Sequence, residues 1–295
     1  MTATVPMAAP PAPRRGTKRR LLGALTPLRW AALVFLVLVI VAAIAAPLIA
    51  PYDPLAQDIP GKLQPIGSPG HLLGTDEYGR DVLSRLIYGA RVELVVALGA
   101  TIVAMVLGVS LGLLGGFLGR WVEVLTMRGV EVIMAFPPIV LALLIVTIYG
   151  SGQVTLIAIM GLLFAPAFAR LTYGQTLGVK NAEYVEAARA FSARTPTILF
   201  AVVLPNVSGP VIAQFPVTIA TAILLESGLS YLGLGITPPT PSWGAMVASG
   251  QRFMSISPDL LVVSSLTVAV TVLAFGLVGD AVRDAFDPKN TRRSA

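Results

Sequence analysis

The sequence has no cysteine and only one histidine, His71. Without cysteine the chain cannot form a disulfide, a thiol nucleophile or a thiolate metal site, and one histidine alone excludes a multi-histidine metal centre. Charged residues are also scarce. They make up 12% of the chain, whereas a soluble domain carries about a quarter. The low charge argues against a soluble globular domain and directs attention to the apolar residues.

Hydrophobic residues are abundant, at 55% of the chain, and the mean hydropathy is +0.81. One globular core cannot bury so much apolar surface, so the surplus must face lipid. The formal net charge is +6, but the basic residues lie at the termini and at the ends of apolar runs, as a membrane topology requires. We therefore expect the chain to reside in a lipid membrane and to have no nucleic-acid partner.

Six apolar runs are long enough to cross a bilayer, which takes about 20 residues. They predict an all-α polytopic membrane protein with about six transmembrane helices. The predicted spans lie near residues 30–50, 93–118, 129–149, 154–171, 205–228 and 259–279.

The first of these runs follows a basic segment and superficially resembles a signal peptide. It is longer than the apolar region of a signal peptide, which has roughly 7–15 residues. We therefore interpret 30–50 as a retained transmembrane helix and expect 1–29, rich in Pro, Ala and Arg, to be a disordered cytoplasmic tail.

The distribution of the 21 lysine and arginine residues predicts the orientation of the spans. If the N-terminus is cytoplasmic, most of them fall on the cytoplasmic side, as the positive-inside rule requires. The exceptions are Lys62, Arg80, Arg85, Arg91 and Arg252.

The same topology divides the chain into segments. It predicts extracytoplasmic loops at 51–92 and 229–258, and a five-helix core over 93–279 that contains an inner loop at 172–204. The cytoplasmic tail is expected over 280–295.

The outer loop 51–92 has the features of an amphipathic helix. Thr75 is a suitable N-cap, and Asp76 favours the positive end of a helix dipole. Asp76 and Arg80 are spaced i,i+4 and can pair on one helix face. The pattern predicts an amphipathic helix over about 76–89 on the outer surface.

Several polar residues are candidates for a site. The outer acids can bind calcium in principle, but two of them have arginine partners at i,i+4, so we predict no metal site. These acids are Asp53, Asp58, Asp76, Glu77 and Asp81. We interpret His71 as structural.

Glu131 and Glu226 lie in or near predicted spans. An intramembrane acid is energetically expensive and suggests a function by default. Two interpretations stay open, a role in the transport pathway or its gate, and structural pairing.

Proline and glycine mark further features of the spans. Pro137-Pro138 and Pro216 are expected to kink their helices, either for packing or for conformational change. The second span is rich in glycine, which allows close helix packing or, alternatively, a mobile gating helix. Its glycines are Gly108, Gly112, Gly115, Gly116 and Gly119.

The inner segment 181–205 reads as two short helices separated by a turn. Asn181 is a candidate N-cap for an alanine-rich first helix. Thr195-Pro196 resembles the N-cap and first position of a second helix, and Leu204-Pro205 is expected to break the chain again. This arrangement suggests a docking element, with a generic cytoplasmic loop as the alternative.

The residues of this segment also resemble the EAA loop of bacterial ABC importer permeases. Glu186-Ala187-Ala188 is followed by Ser192 and then by Val202-x-Leu204-Pro205. The family pattern has Gly at the position of Ser192 and Ile at that of Val202. Because a serine is less comfortable than glycine in a left-handed turn, the turn geometry is an open question.

Three further stretches narrow the resemblance to permeases of the dipeptide, oligopeptide and nickel family, and to their second permease subunit (DppC/OppC type). The matching stretches are His71-Leu72-Leu73-Gly74-Thr75-Asp76-Glu77-Tyr78-Gly79-Arg80-Asp81, Leu229-Ser230-Tyr231-Leu232-Gly233-Leu234-Gly235 and Gly279-Asp280-Ala281-Val282-Arg283-Asp284.

The resemblance implies a type I ABC importer permease fold in a bacterial plasma (inner) membrane, with both termini cytoplasmic. It implies a homologous second permease subunit, two ATPase subunits or domains, and an extracytoplasmic substrate-binding protein. The expected ATPase-coupling residues are Glu186, Ala187, Ala188, Arg189, Ser192, Leu204 and Pro205.

The chain has no G-x-x-x-x-G-K-[ST] phosphate loop. We therefore expect no catalytic residue and no cofactor in this chain, with ATP and magnesium bound by the partner subunits. Peptides are the expected cargo, and nickel, haem or glutathione are alternatives. A stand-alone secondary transporter or channel is the rival from another class, and it requires a coupling-ion site near the membrane midplane.

Overall fold

The structure, a computed structural model, describes residues 26–286. Most of the tail expected over 1–29, and the last part of the tail expected over 280–295, lie outside these residues. The helices, in chain order, are α1 (Pro27–Ile44), α2 (Ala46–Ile49), α3 (Val82–Leu118), α4 (Arg120–Met134), α5 (Pro138–Tyr149), α6 (Gln153–Val179), α7 (Glu183–Ala190), α8 (Thr195–Thr197), α9 (Leu204–Tyr231), α10 (Trp243–Arg252) and α11 (Asp259–Phe286).

The described residues contain five helical stretches that are long and apolar enough to cross a membrane. A sixth span results if α4 and α5 count as one, although they meet at 89°. The break falls at Pro137, which precedes α5 and has a non-helical backbone, with φ of −58° and ψ of 127°. The expected all-α polytopic architecture is therefore confirmed, and so is a bend at Pro137-Pro138.

The second predicted span begins earlier than expected. Helix α3 is continuous from Val82 to Leu118, 37 residues, so the helix predicted over about 76–89 is confirmed for 82–89, where it leads into the span, but 76–81 are not helical and the helix is largely buried instead of lying on the surface. Asp81, and not Thr75, is the N-cap, and its side chain accepts a hydrogen bond from the Ser84 N–H. The residues before it fold as an irregular loop because their side chains bind loop backbone and arginines instead of starting a helix.

Helix continuity also corrects two other boundaries. The break predicted at Leu204-Pro205 is wrong. Helix α8, a π-helical segment (Ile198–Val203) and α9 follow one another without interruption. Pro205 directly follows the π-helical segment, and the helix continues through it. Helix α11 reaches Phe286, so residues 280–286 are helix and not tail.

The predicted caps of the inner loop are displaced by one residue. Ala182, and not Asn181, is the N-cap of α7. Arg194, and not Thr195, precedes α8, and neither cap makes a side-chain hydrogen bond. Backbone conformation, rather than a capping side chain, therefore starts these short helices.

Helices α3 and α6 pack along a line of glycines. A Cβ atom at Gly112 would lie 2.5 Å from the Ala169 carbonyl oxygen, and one at Gly108 would lie 2.3 Å from that of Ala165. At Gly116 it would lie 2.8 Å from the Thr176 Cβ. The three glycines are spaced by four residues, so they share one helix face, and the backbones approach too closely for larger side chains.

Two hydrophobic clusters are present in the described chain. The larger one joins the long helices. The smaller one, called the inner cluster here, fastens the inner loop to the ends of α3 and α9. Its buried members are Leu113, Val185, Ile198, Leu199, Val203 and Val207.

Candidate functional site

The inner loop is built around α7 and the turn that ends it. Ser192 has φ of 58°, the left-handed conformation that was the open question. Its N–H donates to the Arg189 carbonyl at 2.9 Å, and the Ala193 N–H donates to the Ala188 carbonyl at 3.1 Å. These two bonds define a Schellman C-cap, in which the left-handed position is usually glycine. The turn therefore keeps the geometry that glycine normally provides.

The turn is also held by apolar contacts. Val185 is fully buried in the inner cluster, and Ala188 and Ala193 pack against it. Contact between the residues in the positions of Ala188 and Ala193 commonly accompanies a Schellman cap. Leu204 packs on the same cluster, so the loop is fixed to the base of α9.

The opposite side of α7 is exposed. Glu186 and Ala187 face outward, Tyr184 is 42% exposed and Phe191 is 88% exposed. Exposed aromatic side chains such as Phe191 are enriched at protein interfaces. Phe191 was not singled out from the sequence, although its place one residue before the turn was a usable signal.

The predicted loop residues therefore divide into two groups. Glu186 and Ala187 lie on the exposed surface, whereas Ala188 and Leu204 contact the chain's own core. The Arg189 guanidinium lies 5.1 Å from the ring centroid of Phe117 at the end of α3, a cation–π contact. Arg189 thus ties α7 to α3. Pro205 is exposed in the first turn of α9.

Glu131 and Glu226 have different environments. Glu131 is exposed and accepts a hydrogen bond from Arg128 at 2.7 Å, as expected for a solvated pair on one helix. Glu226 is fully buried in α9. It accepts hydrogen bonds from Ser230 at 2.6 Å and from Ser242 at 3.4 Å. The structure does not bring the two acids together.

A second acid, Glu93, lies beside Glu226. It is on α3 and is also fully buried. The backbone N–H groups of Trp243 and Gly244, in the first turn of α10, are its other polar neighbours. Sequence reasoning missed Glu93 because the second span was expected to begin there. A single acid inside an apolar helix was the signal that could have identified it.

The outer loop carries a buried ionic network that braces it against α3. Asp76 is 2% exposed, and its carboxylate lies 2.6 Å from Arg80 Nε and 3.3 Å from Arg85 Nε. Glu77 accepts a hydrogen bond from Ser249 on α10 and lies 3.9 Å from an Arg252 nitrogen.

Other outer acids also have partners. Asp81 Oδ1 lies 2.9 Å from His71 Nδ1, which gives His71 a contact in the loop. The Asp53 carboxylate accepts a hydrogen bond from the Leu55 N–H at 2.8 Å.

This geometry defines a class of protein. It is a polytopic helical membrane protein with a rigid, exposed helical loop at one end of its bundle and a braced polar loop at the other. Comparison with known families makes the class specific. Residues 104–292 match the family described as "Binding-protein-dependent transport system inner membrane component", and residues 26–65 match "N-terminal TM domain of oligopeptide transport permease C".

Similar proteins agree with these matches. The chain is 40% identical over 262 residues to a di/tripeptide transport system permease protein DppC of Pseudomonas aeruginosa, which covers 87% of this chain and 86% of that protein. It is also 40% identical to a glutathione transport system permease protein GsiD of Pectobacterium atrosepticum (88% and 86% covered) and 35% identical to a dipeptide permease DppC of Haemophilus influenzae (87% and 89%). The chain belongs to the binding-protein-dependent ABC importer permeases, of the DppC/OppC type.

A solved structure supports the fold. A chain of the MetNI methionine ABC transporter, in an inward-facing conformation, superposes with a TM-score of 0.56. The match covers 69% of this chain and 96% of that one, at 18% identity. The expected ABC importer permease fold is thereby confirmed.

Proposed function

We propose that this permease forms half of a pathway that imports di- or oligopeptides, with a homologous second permease, two ATPases and an extracytoplasmic binding protein as its partners. The relatives named for dipeptide, di/tripeptide and glutathione transport support this cargo. Glutathione is itself a small peptide, so the three named cargoes belong to one chemical class.

The observation that carries the proposal is the inner loop. It combines a rigid attachment with an exposed surface: the Schellman turn and the inner cluster fix α7 to α9, while Glu186, Ala187 and Phe191 face outward. A partner ATPase that moves this surface therefore moves α9 with it. Since the sequence has no phosphate loop of its own, ATP and magnesium belong to the partner.

The same proposal assigns the two ends of the bundle. The inner loop and both termini lie in the cytoplasm, and the braced loop with α10 lies outside. The distribution of lysine and arginine supports this orientation. No enzymatic role is proposed for any residue of this chain.

The test separates cargo binding from transport. Glu186→Lys reverses a charge on the proposed docking surface, and Ala187→Trp adds bulk to it. Both sites are exposed, so the chain is expected to fold and insert. A charge reversal in a desolvated interface costs several kcal/mol, so cargo-stimulated ATP hydrolysis and uptake are expected to fall together by about 100-fold or more.

Glu186→Gln and Ala187→Ser are the matched controls, since each changes the same position without charge reversal or bulk and is expected to lose much less. The assay is ATPase activity and uptake by the reconstituted complex, with and without binding protein. If the Lys and Trp variants assemble and transport at the original rate, the loop does not couple ATP hydrolysis to transport. Uptake by this chain without any ATPase would support the stand-alone carrier instead.

A further inference from the structure

Two carboxyl groups lie together where α3, α9 and α10 meet. Glu93 comes from α3 and Glu226 from α9, and both side chains are 0% exposed. They are 133 positions apart in sequence, so the fold alone makes them neighbours. Nothing in the coupling mechanism described above uses them.

The pair has an unusual shortage of partners. Neither oxygen of Glu93 has a hydrogen-bond partner of acceptable geometry, and Oε2 of Glu226 has none either. The other Glu226 oxygen accepts from Ser230 and Ser242. Native proteins rarely leave buried polar atoms unsatisfied, so each such atom requires an explanation.

No cation compensates the pair in the part of the chain that the structure describes. None of its ion pairs includes Glu93 or Glu226, and the charged neighbour of Glu93 is Glu226 itself. Two ionised carboxylates side by side without a counter-charge repel each other strongly. Such a pair is stable when it shares one proton, as paired acids do elsewhere.

A shared proton also resolves the shortage of partners. Two carboxylates can only accept hydrogen bonds, whereas a carboxyl group can donate one to a carboxylate. A hydrogen bond of this kind is short and strong. One proton between Glu93 and the free oxygen of Glu226 thus turns a repulsive contact into an attractive one and satisfies an oxygen on each side.

The remaining negative charge has a suitable neighbour in α10. Ser242, the N-cap of α10, makes no side-chain capping bond, so the first N–H groups of α10 lack an acceptor from their own segment. Those of Trp243 and Gly244 lie next to Glu93. A negative charge near a helix N-terminus is stabilising, so the start of α10 stabilises the one charge that remains on the pair.

Other contacts hold α10 in the same place. Trp243 is 1% exposed, and its indole N–H donates to the Leu86 carbonyl on α3 at 3.0 Å. A Cβ atom at Gly244 would lie 2.2 Å from the Ser227 carbonyl oxygen on α9. The start of α10 is therefore wedged between the two helices that carry the acids.

We propose that Glu93 and Glu226 hold one shared proton between them, and that this carboxyl pair fixes the N-terminal end of α10 to α3 and α9. The two acids are positioning residues for the outer segment of the permease. The inference does not depend on the cargo or on the inner loop.

The test is infrared spectroscopy of the whole permease complex in lipid nanodiscs at neutral pH. A protonated carboxyl group has a carbonyl stretch that ionised carboxylates lack and that shifts in heavy water. The wild type is expected to show this band. Glu93→Gln and Glu226→Gln are each expected to shift the band, because the remaining buried acid keeps a proton but now faces an amide, and the double variant Glu93→Gln with Glu226→Gln is expected to lose it. Glu131→Gln, at an exposed acid with its own arginine, is the matched control and is expected to keep the band.

Each other outcome overturns the proposal. Absence of the band in the wild type excludes a shared proton, and wild-type stability that depends on sodium or falls with a chelator then indicates a bound cation. A band that is unshifted in both single Gln variants, or that survives in the double variant, belongs to another carboxyl group. If a Gln variant does not assemble, Glu93→Asp keeps the acid but shortens it and is expected to shift the band; an unshifted band overturns the proposal as well.

Discussion

The contact between α3 and α6 allows a sharp test with a matched pair of substitutions. Gly112→Ala places a methyl group 2.5 Å from the Ala169 carbonyl oxygen and 2.7 Å from the Thr172 Cβ. Neither neighbour can move away easily. The Ala169 oxygen belongs to the α6 backbone, and the Thr172 Cβ is bonded directly to that backbone. Gly174→Ala adds the same methyl group to α6 at a position where no atom beyond its own helical turns lies within 4 Å.

The two substitutions share one favourable effect. Replacing glycine by alanine inside a helix stabilises it by about 0.5–1 kcal/mol. Only Gly112→Ala adds an overpacking cost, which is typically about 1–3 kcal/mol. The difference between the two variants isolates that cost. We therefore expect Gly174→Ala to be slightly stabilising and Gly112→Ala to unfold about 1–3 kcal/mol more easily than Gly174→Ala.

The measurement is the free energy of unfolding of the purified permease in mixed detergent micelles, with increasing sodium dodecyl sulfate and intrinsic tryptophan fluorescence as the signal. The chain has three tryptophans for this purpose. Equal stability of Gly112→Ala and Gly174→Ala would refute the close approach of α3 and α6, and with it the packing interpretation of the glycines.

Three further predictions concern the two loops. Ser192→Gly is expected to slow hydrogen exchange of the turn amides by up to about five-fold, since it relieves roughly 1 kcal/mol of strain from the left-handed backbone conformation. Ser192→Val is expected to speed the exchange of the same amides. The reverse order would contradict the Schellman turn. A cysteine at Lys62 is expected to react with a membrane-impermeant thiol reagent in intact cells and one at Arg194 is not, and reaction at Arg194 alone would invert the proposed topology. Asp76→Asn is expected to lower the free energy of unfolding by about 3 kcal/mol, because it leaves a buried arginine uncompensated. The exposed control Asp53→Asn is expected to change it by less than about 0.5 kcal/mol. Equal effects of the two substitutions would show that the ionic network does not brace the loop.

The length of the apolar runs was sufficient to identify the transmembrane helices, because every span must be long and apolar enough to cross the bilayer. Helix ends were harder to predict. Asp76 and Arg80 have the spacing of a helical pair, but in the structure their contact closes a loop, and the Asp76 carboxylate also accepts the Tyr78 and Arg80 N–H groups. An i,i+4 spacing is compatible with both arrangements, so local pattern alone cannot distinguish them.

The inner loop could be predicted more fully than the buried acids. Its turn and its two short helices follow from neighbouring residues, whereas the left-handed geometry at Ser192 was left open by the sequence and is found in the structure. The contact between Glu93 and Glu226 depends on how α3 crosses α9, and a single sequence carries no such information. The sequence also could not show that Ala188 faces inward, because its contact with the inner cluster depends on the packing of distant helices.

The uninterrupted helical stretch Thr195–Tyr231 has a mechanical consequence. It crosses α11 at Gly279, where an added Cβ atom would lie 3.5 Å from Pro216 and 2.7 Å from Val217. So close a crossing is a suitable pivot point. From there the stretch extends about 30 Å to the inner loop and about 15 Å to Glu226, at a rise of about 1.5 Å per residue. If the stretch turns as one body about this crossing, the level of Glu226 moves about half as far as the inner loop.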